Sequence, residues 1–185
     1  MPMPNVHKPQ ASQHRIIDFL DLGPGEGERL HMLSTAKKAR RLVGIDIRPR
    51  PELLSGNKCV EWIQGRAENK LKDIPDGSVR VVNSDMFVPS FLGEENVDTT
   101  AKSLPEIKRV LAENGRFYAT TRWDQTDIAK AILRSMGFRV KRRLLEEGDT
   151  FTGDTAHAMS MVYRYGWPHT VMPVRMVAIK RAEKK

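Results

Sequence analysis

The chain has 185 residues, a formal net charge of +8 and one cysteine, Cys59. That length suits one domain with a full core and is too short for two sizeable ones; a lone cysteine excludes an internal disulfide and a cysteine-built metal site, so no metal is expected and Cys59 reads as a core-facing strand residue. No apolar run approaches the roughly 18 residues of a membrane helix, and the first dozen residues, MPMPNVHKPQAS, lack the apolar centre of a secretory signal, so a cytoplasmic protein is expected. The positive charge is unevenly spread. Residues 1–101 contain 14 Lys+Arg against 14 Asp+Glu, and residues 102–185 contain 17 against 9. A basic second half allows a nucleic-acid partner, although many soluble proteins are basic without one.

In chain order, residues 1–14 read as a flexible arm. The apolar run Ile16, Ile17, Phe19, Leu20, Leu22 then leads straight into Gly23, Gly25 and Gly27, and Leu30, Leu33 and Ala36 follow at helical spacing. Strand, glycine turn and helix are implied. Such a turn brings backbone close to a ligand and turns the free N–H groups of the helix start toward it. Asp21 closes the strand, and Asp46 lies in a second apolar strand, Leu42 to Ile47, where a carboxylate can accept hydrogen bonds from both hydroxyls of a ribose. Together these residues imply a nucleoside-containing ligand. A dinucleotide site places its third glycine three residues after the second; here that place holds Glu28, whose charge opposes a pyrophosphate.

The run Asp21, Leu22, Gly23, Pro24, Gly25, Glu26, Gly27 resembles the signature of the class I methyltransferases that use S-adenosylmethionine. The resemblance implies an α/β, Rossmann-like methyltransferase fold: a mostly parallel seven-stranded sheet with an antiparallel last strand and helices on both faces. It also implies S-adenosylmethionine as cofactor, held by Asp21, Gly23, Gly25, Asp46, Ile47, Arg66, Ala67 and Ser84. Arg66 departs from the family pattern Gly-Asp-Ala-Glu in Gly65–Glu68. The backbone contact through Ala67 survives that change, while Arg66, in place of the Asp that contacts the adenine amino group, either stacks on the adenine or points to solvent. Arg80 stands where the family has a second acidic residue after Asp76-Gly77-Ser78.

The later elements follow the same plan. Val60 to Gln64 is a third strand and Val79 to Asn83 a fourth, with Ser84 and Asp85 at its carboxyl end facing the methyl donor; Asp85 is the candidate to touch substrate. Leu104, Ile107, Val110 and Leu111 mark a helix capped by Ser103 and stopped near Asn114-Gly115. Glu106 to Thr121 resembles the helix, turn and fifth strand of the family's broad small-molecule branch. Ile128, Ile132, Leu133 and Met136 mark another helix, Phe138 to Leu145 an outer strand whose Arg and Lys block edge pairing, and Val171 to Ile179 the last strand.

One domain, 1–185, is expected, with an insert at 146–170 acting as a substrate lid through His157, Tyr163 and Trp167. The acceptor reads as a small molecule. RNA is the alternative, because Val82 to Met86 resembles the fourth-strand motif of ribose 2'-O enzymes, although Arg122 stands where those enzymes need a lysine. A cofactor-binding regulator without catalysis is a third possibility.

Overall fold

The computed structural model describes residues 16–85, 103–122, 126–144 and 173–181. Seven strands form one sheet: β1 (Phe19–Leu22), β2 (Leu42–Asp46), β3 (Val60–Gln64), β4 (Val79–Asp85), β5 (Leu111–Arg122), β6 (Phe138–Leu144) and β7 (Pro173–Lys180). Their order is β3-β2-β1-β4-β5-β7-β6. Strand β7 pairs antiparallel with both β5 and β6, and β1 to β5 pair in parallel, which is the Rossmann-like sheet expected. The order reverses between β1 and β4, and such a switch point opens a crevice at the carboxyl ends of the strands.

Helix α1 (Glu28–Thr35) packs on one face, where Leu30, Leu42, Leu54 and Val60 form a small core with Trp62 against its rim. The other face carries the main core. There α2 (Ala67–Lys70), the helix over 103–110, called α3, and α4 (Thr126–Ser135) cover Leu20, Val43, Val82, Phe117 and Met176. Alternation explains the division, since successive strand residues face opposite sides: Leu20 and Leu22 enter the main core, while Asp21 between them points to the α1 face with Gly44 and Asn83, its register partners.

Several expectations are corrected. Strand β2 ends at Asp46 and leaves Ile47 outside it, whereas β4 runs on to Asp85. Helix α3 stops at residue 110, so Leu111 already belongs to β5. Asn114 does adopt the left-handed conformation, with φ 60°, but it sits inside β5, where the pairing with β4 shifts register between Val79 and Val81. Ser103 is helical rather than a cap: it is buried and its Oγ has no hydrogen-bond partner among the described residues. In α4 the buried residues are Thr126, Ala129 and Leu133, with Ile132 and, just past the helix, Met136 at the margin and Ile128 47% exposed. Cys59 is exposed in the turn before β3, not core-facing.

Arg109 fastens α3 to the segment that leads into β4. Its guanidinium donates to the carbonyls of Leu71 and Ile74 at 2.8 and 2.9 Å and pairs with Glu106 and Asp76. Burial opposes its charge, but the ion pairs with Glu106 and Asp76 outweigh burial and raise its pKa above the usual arginine value. Strand β6 is an outer strand, as expected for a strand rich in Arg and Lys, and β3 is the other.

Candidate active site

Strands β1 to β4 end at one edge of the sheet, and each brings residues there. After β1 the chain turns through Gly23, Gly25 and Gly27 at φ 67°, 62° and 75°, left-handed conformations that glycine alone adopts without strain. The Gly23 N–H donates to the Ile45 carbonyl at 2.9 Å and joins the turn to β2. The Gly25 N–H donates to Asp46 Oδ2 at 3.1 Å. Space is as short as conformation: a Cβ on Gly27 would lie 2.6 Å from Leu54 Cδ1.

Asp46 is 6% exposed. Its Oδ1 accepts the Arg48 N–H at 2.9 Å, so two backbone donors fix the carboxylate. A carboxylate has about four acceptor positions, which leaves capacity for a ligand. The Arg48 side chain lies across it, Nε 3.4 Å from Oδ1 and Nη2 3.5 Å from Oδ2, with Nη1 3.3 Å from Glu26. These contacts are long and half exposed, so moving the guanidinium aside costs little.

Asp21 is 3% exposed and accepts a hydrogen bond from Asn83 Nδ2 at 2.7 Å. Sequence reasoning passed over Asn83. The signal was present: an amide in an apolar strand, at the register position beside the acidic end of β1, has to satisfy its donors on that neighbour.

At the end of β3 the Gly65 N–H donates to the Asp46 carbonyl at 2.7 Å, and the Arg66 carbonyl accepts the first bonds of α2, whose first residue, Ala67, is buried. The Arg66 guanidinium is exposed, 3.5 Å from Glu68. Ser84, next to last in β4, is fully buried and its Oγ has no partner among the described residues. Ile47 is 67% exposed at the same edge. Asp21, Gly23, Gly25, Asp46, Ile47, Arg66, Ala67 and Ser84 therefore gather at the carboxyl ends of β1 to β4. Asp85 ends β4 opposite Thr120, and its side chain lies outside the described residues. So do the arm 1–14, the insert 146–170 and its His157, Tyr163 and Trp167. The unexpected Arg80 is accounted for at the other end of the strand, where it pairs with Asp18 at 3.0 Å. Among the described residues no group of His, Cys, Asp and Glu is placed to hold a metal ion, and no helix is long and apolar enough to cross a membrane.

A family model for the methyltransferase domain matches residues 20–119. The chain belongs to this methyltransferase family. The match begins in β1 and ends in β5, and so includes the whole edge just described. The methyltransferase also shares its fold with solved structures. One is a chain from the complex between the Haloferax volcanii Trm112 methyltransferase activator and a methyltransferase, 18% identical with a TM-score of 0.65, covering 92% of this chain and 85% of that one. A second is the YcgJ protein of Bacillus subtilis, 17% identical at a TM-score of 0.62, covering 91% and 93%. A third is a SAM-dependent methyltransferase of Archaeoglobus fulgidus, 17% identical at 0.59, covering 89% and 86%. No curated protein sequence matches the chain. The protein is thus an enzyme of the class that transfers a methyl group from S-adenosylmethionine to an acceptor.

Proposed function

We propose that the edge at the carboxyl ends of β1 to β4 binds S-adenosylmethionine and that the methyl acceptor is a small molecule. The observation that carries the cofactor reading is the pair of buried carboxylates, Asp21 and Asp46, on either side of a turn whose Gly25 N–H is already aimed at Asp46. The donor set fits the ligand. Asp46, with acceptor capacity left, suits the two ribose hydroxyls. Asp21, oriented by Asn83, sets negative charge near a cationic methionyl sulfonium and ammonium. Ile47 offers an exposed apolar side chain for one face of the adenine, and the Ala67 N–H a donor for a ring nitrogen. Glu28, in the first turn of α1, disfavours a pyrophosphate in its place.

When bound, S-adenosylmethionine supplies a methyl group on a positively charged sulfur. The protein's share of the work is alignment and exclusion of water. Asp46 and the glycine turn fix the nucleoside, and Asp85, at the end of β4, is the group we assign to take a proton from the acceptor. The insert 146–170, with its His, Tyr and Trp, supports a small-molecule acceptor by composition, as does the likeness of Glu106 to Thr121 to the small-molecule branch.

Calorimetric titration tests the cofactor reading. Wild-type protein is expected to bind S-adenosylmethionine and its demethylated product. Asp46→Ala removes charge-assisted bonds worth about 1.5–3 kcal/mol, so affinity should fall roughly 10- to 150-fold. No heat with wild type, or unchanged affinity in the variant, would overturn it.

A further inference from the structure

The opposite edge of the sheet, where the parallel strands begin, is lined with cations. A cleft of about 1060 Å³ opens at the starts of β1 to β4, and the chain brings Lys37, Lys38, Arg40 and Arg41 together there with Lys58 and Arg80. Its two carboxylates are already engaged, Asp18 by Arg80 and Glu61 by Arg41, each at 3.0 Å. Lys37, Lys38, Arg40 and Lys58 are exposed and have no carboxylate partner among the described residues. Next along the edge, a cleft of about 500 Å³ holds Lys108, Arg109, Lys180 and Arg181 beside Asp76 and Glu113. Arg181 also lines a third cleft, of about 310 Å³, with Arg134 and Arg139. The three clefts follow the sheet order from β3 to β6, so the basic band spans all seven strands.

Helix dipoles account for part of this band only. Cations complement the end of a helix, which covers Lys37 and Lys38 just after α1, Lys108 and Arg109 in the last turn of α3 and Arg134 in that of α4, but Lys58, Arg80, Arg139 and Arg181 begin or follow strands rather than end helices. Protection of exposed edge strands covers only the two ends of the sheet, β3 and β6.

We infer that this band is a docking surface for single-stranded RNA, bound through its phosphates. Its length argues for a polymer: seven strands about 4.8 Å apart span roughly 29 Å, far longer than one phosphate group and enough for several in a row. Its shape argues for a single strand. Neighbouring strands are rotated by about 20–25°, so the line of strand starts curves, and following it costs a stiff duplex bending energy that a flexible strand avoids. Single-stranded segments are what RNA offers for recognition. The inference is independent of the cofactor reading, because Asp21 and Asp46 end the strands that this band begins.

Fluorescence anisotropy with a labelled 20-nucleotide RNA between 50 and 200 mM salt tests it, beside a DNA duplex of the same length and polyglutamate. Wild type should bind the RNA with a log–log salt slope steeper than about −4, since each single-strand phosphate contact contributes about −0.7 and the two groups of three cations tested below contribute about −2 each. Lys38→Gln, Arg40→Gln and Lys58→Gln combined should make that slope shallower by about 2, and Lys108→Gln, Arg139→Gln and Arg181→Gln combined by a similar amount. These side chains are exposed or half-buried and carry no ion pair among the described residues, so both variants should keep their melting temperature and their affinity for S-adenosylmethionine. The inference is overturned if wild type does not bind RNA at 50 mM salt, if neither folded variant changes the slope, or if duplex DNA or polyglutamate binds as tightly as the RNA. Loss of cofactor affinity with RNA binding intact would instead count against the cofactor reading alone.

Discussion

Asn83→Asp replaces the amide that orients Asp21 with a second carboxyl group at almost the same size. The two side chains lie 2.7 Å apart and both are buried. With an effective dielectric constant of about 20, two negative charges at that separation repel by roughly 6 kcal/mol. The variant avoids that by keeping a proton on the pair, so the cost at neutral pH is set by how far the introduced carboxyl's titration is pushed upward. A rise of about 3 units costs about 4 kcal/mol at pH 7. The sign follows from linkage. The folded variant binds a proton that its unfolded chain, titrating near pH 4, has released, so stability is complete below about pH 4 and is lost as pH rises toward about 7. Urea denaturation of wild type, Asn83→Asp and Asn83→Leu at pH 4.5 and 7.5 provides the measurement. The difference between wild type and Asn83→Asp should grow by about 3 kcal/mol between the two pH values, while Asn83→Leu should cost nearly the same at both. Equal costs for Asn83→Asp at the two pH values would refute the buried contact.

Gly27→Ala meets both a left-handed backbone and the Leu54 side chain at 2.6 Å; about 1–2 kcal/mol of backbone strain and about 1–3 kcal/mol of overpacking should lower the melting temperature by roughly 5–15 °C, and a drop under 2 °C would contradict the packing. Arg48→Ala removes a half-exposed side chain that competes for Asp46, a contact worth about 0.5–1 kcal/mol, so calorimetry should show S-adenosylmethionine bound about two- to fivefold more tightly; weaker binding would make the guanidinium part of the cofactor site.

Strand positions were legible because burial writes them as apolar runs: Val60–Gln64 was read to the residue, and the glycine turn announced its own conformation. The errors sit where two physical demands compete. Ile128 has the helical spacing of a core residue, yet the core face of α4 is set by the small Ala129, which lets the helix approach β6. Leu111 continues the apolar period of α3 but is taken over by pairing with Val79, because strand hydrogen bonds across the sheet outweigh one more helical turn. Cys59 belongs to an apolar residue type, but the turn that feeds β3 leaves it in solvent. At the site, the two carboxylates and the turn could be read from spacing. Asn83 could not, since its role depends on which residue of β1 lies beside it, and register between strands 62 residues apart is a tertiary fact.

Charge was the least legible property, for a reason built into parallel sheets. Every parallel strand starts at one edge and ends at the other, so a sequence that opens strands with cations and closes them with carboxylates is neutral when counted along the chain and polarised in space. Strand β2 follows Arg40 and Arg41 and ends on Asp46; β4 has Arg80 near its start and Asp85 at its end. Residues 1–101 therefore balance to zero while contributing the largest of the three basic clefts at one edge and both buried carboxylates, Asp21 and Asp46, at the other. Burial makes the two edges respond differently to solvent. The exposed cations of the band are screened within about 8 Å at physiological salt, whereas Asp46 is shielded from it. Raising salt from 50 to 200 mM should therefore release a polyanion from the basic edge while leaving cofactor affinity nearly unchanged, and comparable salt sensitivity of both would mean that the two ligands share one edge.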